Sequence, residues 1–150
     1  MNTYEQRVNG MLNAVLHCQE IGLELVSADK GRLTLKLPYR KELVGNPISG
    51  VIHGGALTTL LDTACGFAAP LAIEGPAICP TLDLRIDYMR AAEPGIDIIG
   101  EAEIYRVTGN VVFARGIAWQ DSRDTPVAHC VATFMRLDPH VIRRPGAASA

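Results

Sequence analysis

The sequence predicts an α+β chain in which a curved, mainly antiparallel sheet wraps around one central helix. Two observations carry this. Between residues 54 and 73, Ala56, Leu57, Leu60, Leu61, Ala64, Phe67, Ala68 and Leu71 surround most of the helical circumference, which a helix does only when it is enclosed on nearly all sides. Much of the remainder alternates with the period of a strand, as in Leu33, Leu35 and Leu37 against Arg32, Thr34 and Lys36. A meander of strands with one apolar helix arriving after its first hairpin buries its inner face on that helix.

In chain order, Val8, Met11, Leu12, Val15 and Leu16 recur at steps of three and four and predict a first amphipathic helix over 3–17. The period then changes: Leu23 and Leu25, followed by 33–37, read as a hairpin turning at 29–31. Residues 38–53, with Gly45, Pro47 and Gly50, fit neither period and read as a loop leading into the central helix. Leu82, Leu84, Ile86 and Tyr88 alternate with Asp83, Arg85 and Asp87. The runs 96–107, 111–120 and 127–137 follow as three long strands, joined at Gly109-Asn110 and at 122–126. The expected organisation is one domain over 1–138 and a frayed tail over 139–150.

Composition narrows the function classes. One hundred and fifty residues suit a single domain. Fourteen basic against sixteen acidic side chains, with a pI near 6.1, leave no basic field for nucleic acid. With 48% hydrophobic residues and a mean hydropathy of +0.15, some apolar surface is expected to meet another subunit, and open sheet edges favour a dimer. Cys18, Cys65, Cys79 and Cys130 show no CxxC pairing and read as reduced, buried thiols. The first ten residues lack the apolar run of a signal peptide, so the expected location is the cytoplasm. The most membrane-like window, 54–73, is interrupted by Asp62, three threonines and Pro70, and no membrane span is expected.

The chemistry centres on that same window. Asp62 is its only charged side chain, and an unpartnered carboxylate buried among apolar residues costs several kcal/mol. Two readings stand at this level. Either Asp62 shares a solvent-facing polar stripe with Thr58, Thr59 and Gly66, or it is a reactive carboxylate. His53-Gly54-Gly55 at the helix start likewise reads as a solvent-facing cap entered through flexible glycines, or as an oxyanion hole. In the second case the glycines admit a substrate to the backbone, and free first-turn N–H groups meet an oxygen. Asp62 follows His53 by nine residues, about 13 Å along a helix axis at 1.5 Å per residue, so the two groups of one chain cannot easily share one carbonyl. A second subunit could bring them together.

The run HGGALTTLLDTACG at 53–66, after GNPISG and before TLDLRIDYMRAAEPG at 81–95, resembles the hotdog-fold acyl-CoA thioesterases of the PaaI type. The resemblance implies a hotdog fold, with an antiparallel sheet of five or six strands around the central helix and an extra N-terminal helix. It also implies homodimers joined edge to edge and often a homotetramer of two such dimers. It casts Asp62 as general base or nucleophile and the Gly54 N–H as oxyanion donor to the other subunit's site. His53 would hold the loop and the carbonyl, and Thr81 would orient the water. Gly55 and Thr63 would be substrate contacts.

Two points depart from the pattern. Many relatives carry an active-site asparagine six residues before the histidine, whereas Pro47 stands there and Asn46, seven before, is the candidate expected to reach the site through a slightly longer loop. Strand parity groups Thr81 with Asp83 and Arg85, so its aim at the site needs a local irregularity near Pro80.

A thiolate leaves readily because thiols have pKa values near 8.5, so one base and one oxyanion hole suffice without a general acid. Coenzyme A carries phosphates, for which Arg90 and Arg106 are candidate cations, though both also read as ordinary solvated strand ends. In relatives the nucleotide lies near the following turn, which adds Gly109 and Asn110. His129 alternates within a strand and reads as structural. No set of three ligand side chains is spaced for a metal, and no cofactor is expected. The rival readings are a hotdog hydratase or dehydratase, disfavoured by the absence of Glu on the central helix, and a non-catalytic acyl-CoA-binding protein.

Overall fold

The computed structural model describes residues 1–141. Two short helices, α1 (Thr3–Ala14) and α2 (Leu16–Ile21), precede the hairpin β1 (Glu24–Asp29) and β2 (Arg32–Leu37). A small ribbon of β3 (Val44–Asn46) and β4 (Val51–Ile52) leads into α3 (Gly54–Leu71). The strands β5 (Thr81–Tyr88), β6 (Ile98–Val107), β7 (Val111–Trp119) and β8 (Ala128–Met135) complete the order. The six long strands form one sheet in the order β1-β2-β6-β7-β8-β5, antiparallel throughout. The expected α+β architecture, a six-stranded sheet wrapped on a central helix, is what the chain adopts.

The inward residues of each strand meet α3. Leu33, Leu35, Leu37, Ile98, Val112 and Phe134 pack with Leu60, Leu61 and Ala64 in one core, all at 1% exposure or less. Each fully buried side chain of this size contributes roughly 1.5–3 kcal/mol. The helix lies close because Gly100 offers no side chain: a Cβ there would stand 2.7 Å from Leu60 Cγ. On the outer face, charges pair instead, as in Arg32–Glu103–Arg115 and Arg123–Glu101. Such exposed pairs are individually worth little.

The first helix departs from expectation. It breaks at Val15, whose extended backbone closes α1 through its N–H to Met11 O and opens α2. The break has a packing reason. On one straight helix, at roughly 100° per residue, Ile21 would face about 220° away from Val8; after the break both are buried. The expected loop before α3 holds the β3–β4 ribbon, and Gly45 lets it lie against His53, since a Cβ there would come within 2.9 Å of His53 Cα.

β5 is the outer strand of the sheet beside β8 and has no strand on its other side. Its pairing slips by one residue: Thr81 faces Phe134, whereas Asp83 faces Thr133, so Leu82 is an extra residue, a β-bulge. Among the described residues no helix is long and apolar enough to cross a membrane. Of the expected tail, Pro139–Val141 forms a 3-10 turn, and 142–150 lie outside the described residues.

Candidate active site

The start of α3 is built on His53, whose Nδ1 accepts the Gly55 N–H at 2.8 Å and so caps the helix. With Nδ1 accepting this bond, a ring proton can sit only on Nε2. Gly55 is required by this cap: a Cβ would lie 2.8 Å from the ring nitrogen. Gly54 is not required in the same way, since a Cβ there would make only ordinary contact with the Tyr88 ring, at 3.4 Å. Among the described residues the Gly54 N–H meets no hydrogen-bond acceptor, which leaves it free for an incoming oxygen.

Two turns along the same helix, Asp62 is half-buried, and Thr81 donates its hydroxyl to Asp62 Oδ1 at 2.9 Å. The bulge at Leu82 makes this bond possible by returning Thr81 to the inward face it shares with Leu84 and Ile86. The carboxylate opens on a cavity of about 670 Å³ between α3, the α1–α2 corner and residues 77–81. Its walls are mostly apolar, with Met11, Val15, Phe67, Pro70, Ile78 and Phe134 as the larger contributors. Cys18 and Cys79 also line it. Burial pushes both thiols up from their ordinary value, offset in part by Thr63 at Cys18 and by the Arg136 charge at Cys79. They stand as protonated, apolar wall groups at neutral pH.

Asn46 sits on the exposed ribbon, where its side-chain oxygen accepts the Ile48 N–H at 3.0 Å, and no hydrogen bond joins it to Asp62. Thr63 is buried against Cys18 at 4.0 Å and lines the cavity. Arg90 donates to the carbonyls of Thr125 and Ala91 at 3.0–3.2 Å, bracing two loops. Arg106, Gly109 and Asn110 are exposed at the β6–β7 turn.

Sequence reasoning missed the roles of four neighbours. Arg136 packs on that turn, its N–H bonded to Asn110 O at 2.7 Å and its guanidinium to Thr108 O at 3.3 Å. Thr58 and Tyr88 converge on Gly54 O. For Thr58 the signal was present, since it stands four residues from both Gly54 and Asp62. His17 reaches Thr59 at 3.4 Å on the cavity rim.

Residues 49–127 match the profile of the thioesterase superfamily. A Halobacterium salinarum protein carrying the provisional name esterase is 36% identical over 94 residues, a match that spans only 61% of this chain and 61% of that protein. The medium/long-chain acyl-CoA thioesterase YigI of Salmonella typhimurium is 26% identical over 77% of this chain and 81% of its own length. Among solved structures, a Pseudomonas aeruginosa protein superposes with a TM-score of 0.82 at 53% identity, covering 89% of this chain and 99% of that one. The PaaI protein of the E. coli phenylacetic acid degradation operon shares the fold, with a TM-score of 0.80 at 18% identity over 90% of this chain and 94% of its own. With more than half of its length matched by the family profile and a six-stranded sheet folded around the matching helix, this chain belongs to the thioesterase superfamily and has its hotdog fold.

Proposed function

We propose that the protein hydrolyses acyl-CoA thioesters, of aryl or medium-chain acyl groups, to the free acid and CoA. The observation that carries this reading is the Asp62 carboxylate, held by Thr81 and facing an apolar cavity of about 670 Å³, within the size range of small-molecule sites. The acyl group lies in the cavity, and Asp62 acts as general base on water or as nucleophile on the carbonyl carbon. Thr81 fixes the carboxylate and orients the water. The thiolate leaves without protonation.

The oxyanion donor is the free Gly54 N–H of a partner chain. Gly54 and Asp62 of one chain lie eight residues apart on one rigid helix, about 12 Å, too far to act on a single carbonyl. The open edge of β5, with Leu82 and Tyr88 exposed on it and Met89 exposed just beyond it, is where a second copy continues the sheet; a tetramer would pair two such dimers. The His53 cap sets the donor turn, and Gly55 and Thr63 border the substrate. Arg106 and the Gly109-Asn110 turn face the CoA phosphates, with Arg136 as an added cation beside them and Arg90 contributing charge while bonded to backbone carbonyls. A hydratase would need a His paired with the carboxylate, and among the described residues no His is hydrogen-bonded to Asp62.

The test is release of free CoA thiol from a panel of medium-chain and aryl acyl-CoA esters, by the wild type and by Asp62→Asn. Turnover that depends on Asp62 is expected. A folded wild type that turns over none of the panel overturns the proposal.

A further inference from the structure

We infer that Tyr88 is a positioning residue for the reaction, fixing the oxyanion-donor turn of its own chain and therefore serving the partner's carboxylate rather than its own. This rests on the cross-subunit site proposed above.

The Tyr88 hydroxyl lies 3.0 Å from Gly54 O and 2.7 Å from Thr58 Oγ1, and Thr58 Oγ1 lies 3.2 Å from Gly54 O. Two hydroxyl protons cannot fill three contacts. The shortest pair of bonds runs from Thr58 to Tyr88 and from Tyr88 to Gly54 O, a chain in which each donor polarises the next. The peptide between Gly54 and Gly55 is thereby held at both ends, its C=O by Tyr88 and its N–H by His53 Nδ1 at 2.8 Å.

That anchoring matters because of what the turn is made of. Two consecutive glycines have the widest backbone freedom of any pair, and an oxyanion donor works only when it is already aligned before charge develops. With the 54–55 peptide pinned, the preceding peptide, which carries the free Gly54 N–H, is limited in the directions it can point. Thr81 and Tyr88 thus divide one strand: Thr81 steadies the carboxylate and Tyr88 the donor turn. Nothing in the geometry links the Tyr88 hydroxyl to Asp62.

The experiment uses Tyr88→Phe, which keeps the ring that contacts Gly54 at 3.4 Å and removes only the hydroxyl. The expected result is a kcat about tenfold lower, a part of the hundredfold or larger loss that follows removal of a whole oxyanion donor, with KM and thermal stability unchanged. The decisive arm is a heterodimer of Tyr88→Phe and Asp62→Asn chains, isolated through two affinity tags. One of its sites lacks the carboxylate. The other combines an intact Asp62 with an intact donor turn, so the heterodimer should show half the wild-type kcat. A Tyr88→Phe homodimer within twofold of wild-type kcat overturns the inference, and so does a heterodimer that stays at about one twentieth of it. Should Tyr88→Phe fold poorly, Thr58→Val removes the hydroxyl behind Tyr88 and should give a smaller loss with the same rescue; absence of that rescue is equally decisive. Full activity in Asp62→Asn homodimers is a separate outcome, which removes Asp62 from the proposed reaction, whereas a folded wild type that turns over no acyl-CoA removes the proposed function itself.

Discussion

Asp62→Asn separates chemistry from architecture because of how the carboxylate is held. Asparagine has nearly the same volume, and its Oδ1 can still accept the Thr81 hydroxyl that now lies 2.9 Å from Asp62 Oδ1. The cavity walls and the cap at His53 are untouched, so folding and assembly should be preserved. What disappears is the ability to take a proton or attack a carbonyl carbon. General-base assistance contributes roughly a hundredfold to ten-thousandfold, about 2.7–5.4 kcal/mol of barrier at 1.36 kcal/mol per decade. The expected kcat is therefore at least a hundredfold below wild type, with a residue of activity from the remaining oxyanion donor. The assay is spectrophotometric release of CoA thiol at saturating ester, alongside a thermal melt of each protein. A variant with an unchanged melt and a kcat within tenfold of wild type would refute the assignment of Asp62.

Thr81→Val removes the donor to Asp62; a hydrogen bond to a charged group is worth about 1.5–3 kcal/mol, so kcat should fall roughly ten- to hundredfold with little change in KM, as steady-state kinetics would reveal. Gly116→Ala places a Cβ 2.7 Å from Cys130 Sγ and 3.2 Å from Glu101 O, and overpacking of this kind costs about 1–3 kcal/mol, visible as a lower Tm without loss of per-molecule activity. Glu103 is held below the ordinary carboxylate range, chiefly by its hydrogen bond to Arg115, with Arg32 adding to it. Its contribution is therefore complete above the unfolded value near 4.3 and fades as pH falls through the lower folded value. Glu103→Gln should flatten the acid limb of a stability profile measured between about pH 3 and 6.

The helix that carries the site was legible because its signal is compositional: a nearly all-round apolar segment with one carboxylate and two glycines at its start needs no knowledge of its neighbours. The strands were legible from alternation. What alternation could not deliver was any contact dependent on a break in it. Thr81 counts by parity onto the outer face with Asp83, and only the extra residue at Leu82 returns it to Asp62. The turn at Val15 is invisible to a helical period that runs through it, because what the break achieves is the burial of both Val8 and Ile21. Tyr88 read as one more inward strand residue; its bond to Gly54 spans 34 positions, and no spacing rule reaches that far. Asn46 was placed by counting back from His53, and the ribbon that holds its side chain on Ile48 is a tertiary feature of the segment.

The surplus residue at Leu82 lets one strand do what two would otherwise be needed for. A regular strand shows hydroxyls at positions 81 and 88 to opposite sides, because they are separated by an odd number of steps. One inserted position brings both to bear on the same rod. Grafting this segment onto another scaffold would have to carry that defect along, since a tidied, perfectly alternating version would keep every side chain and still lose one of its two grips.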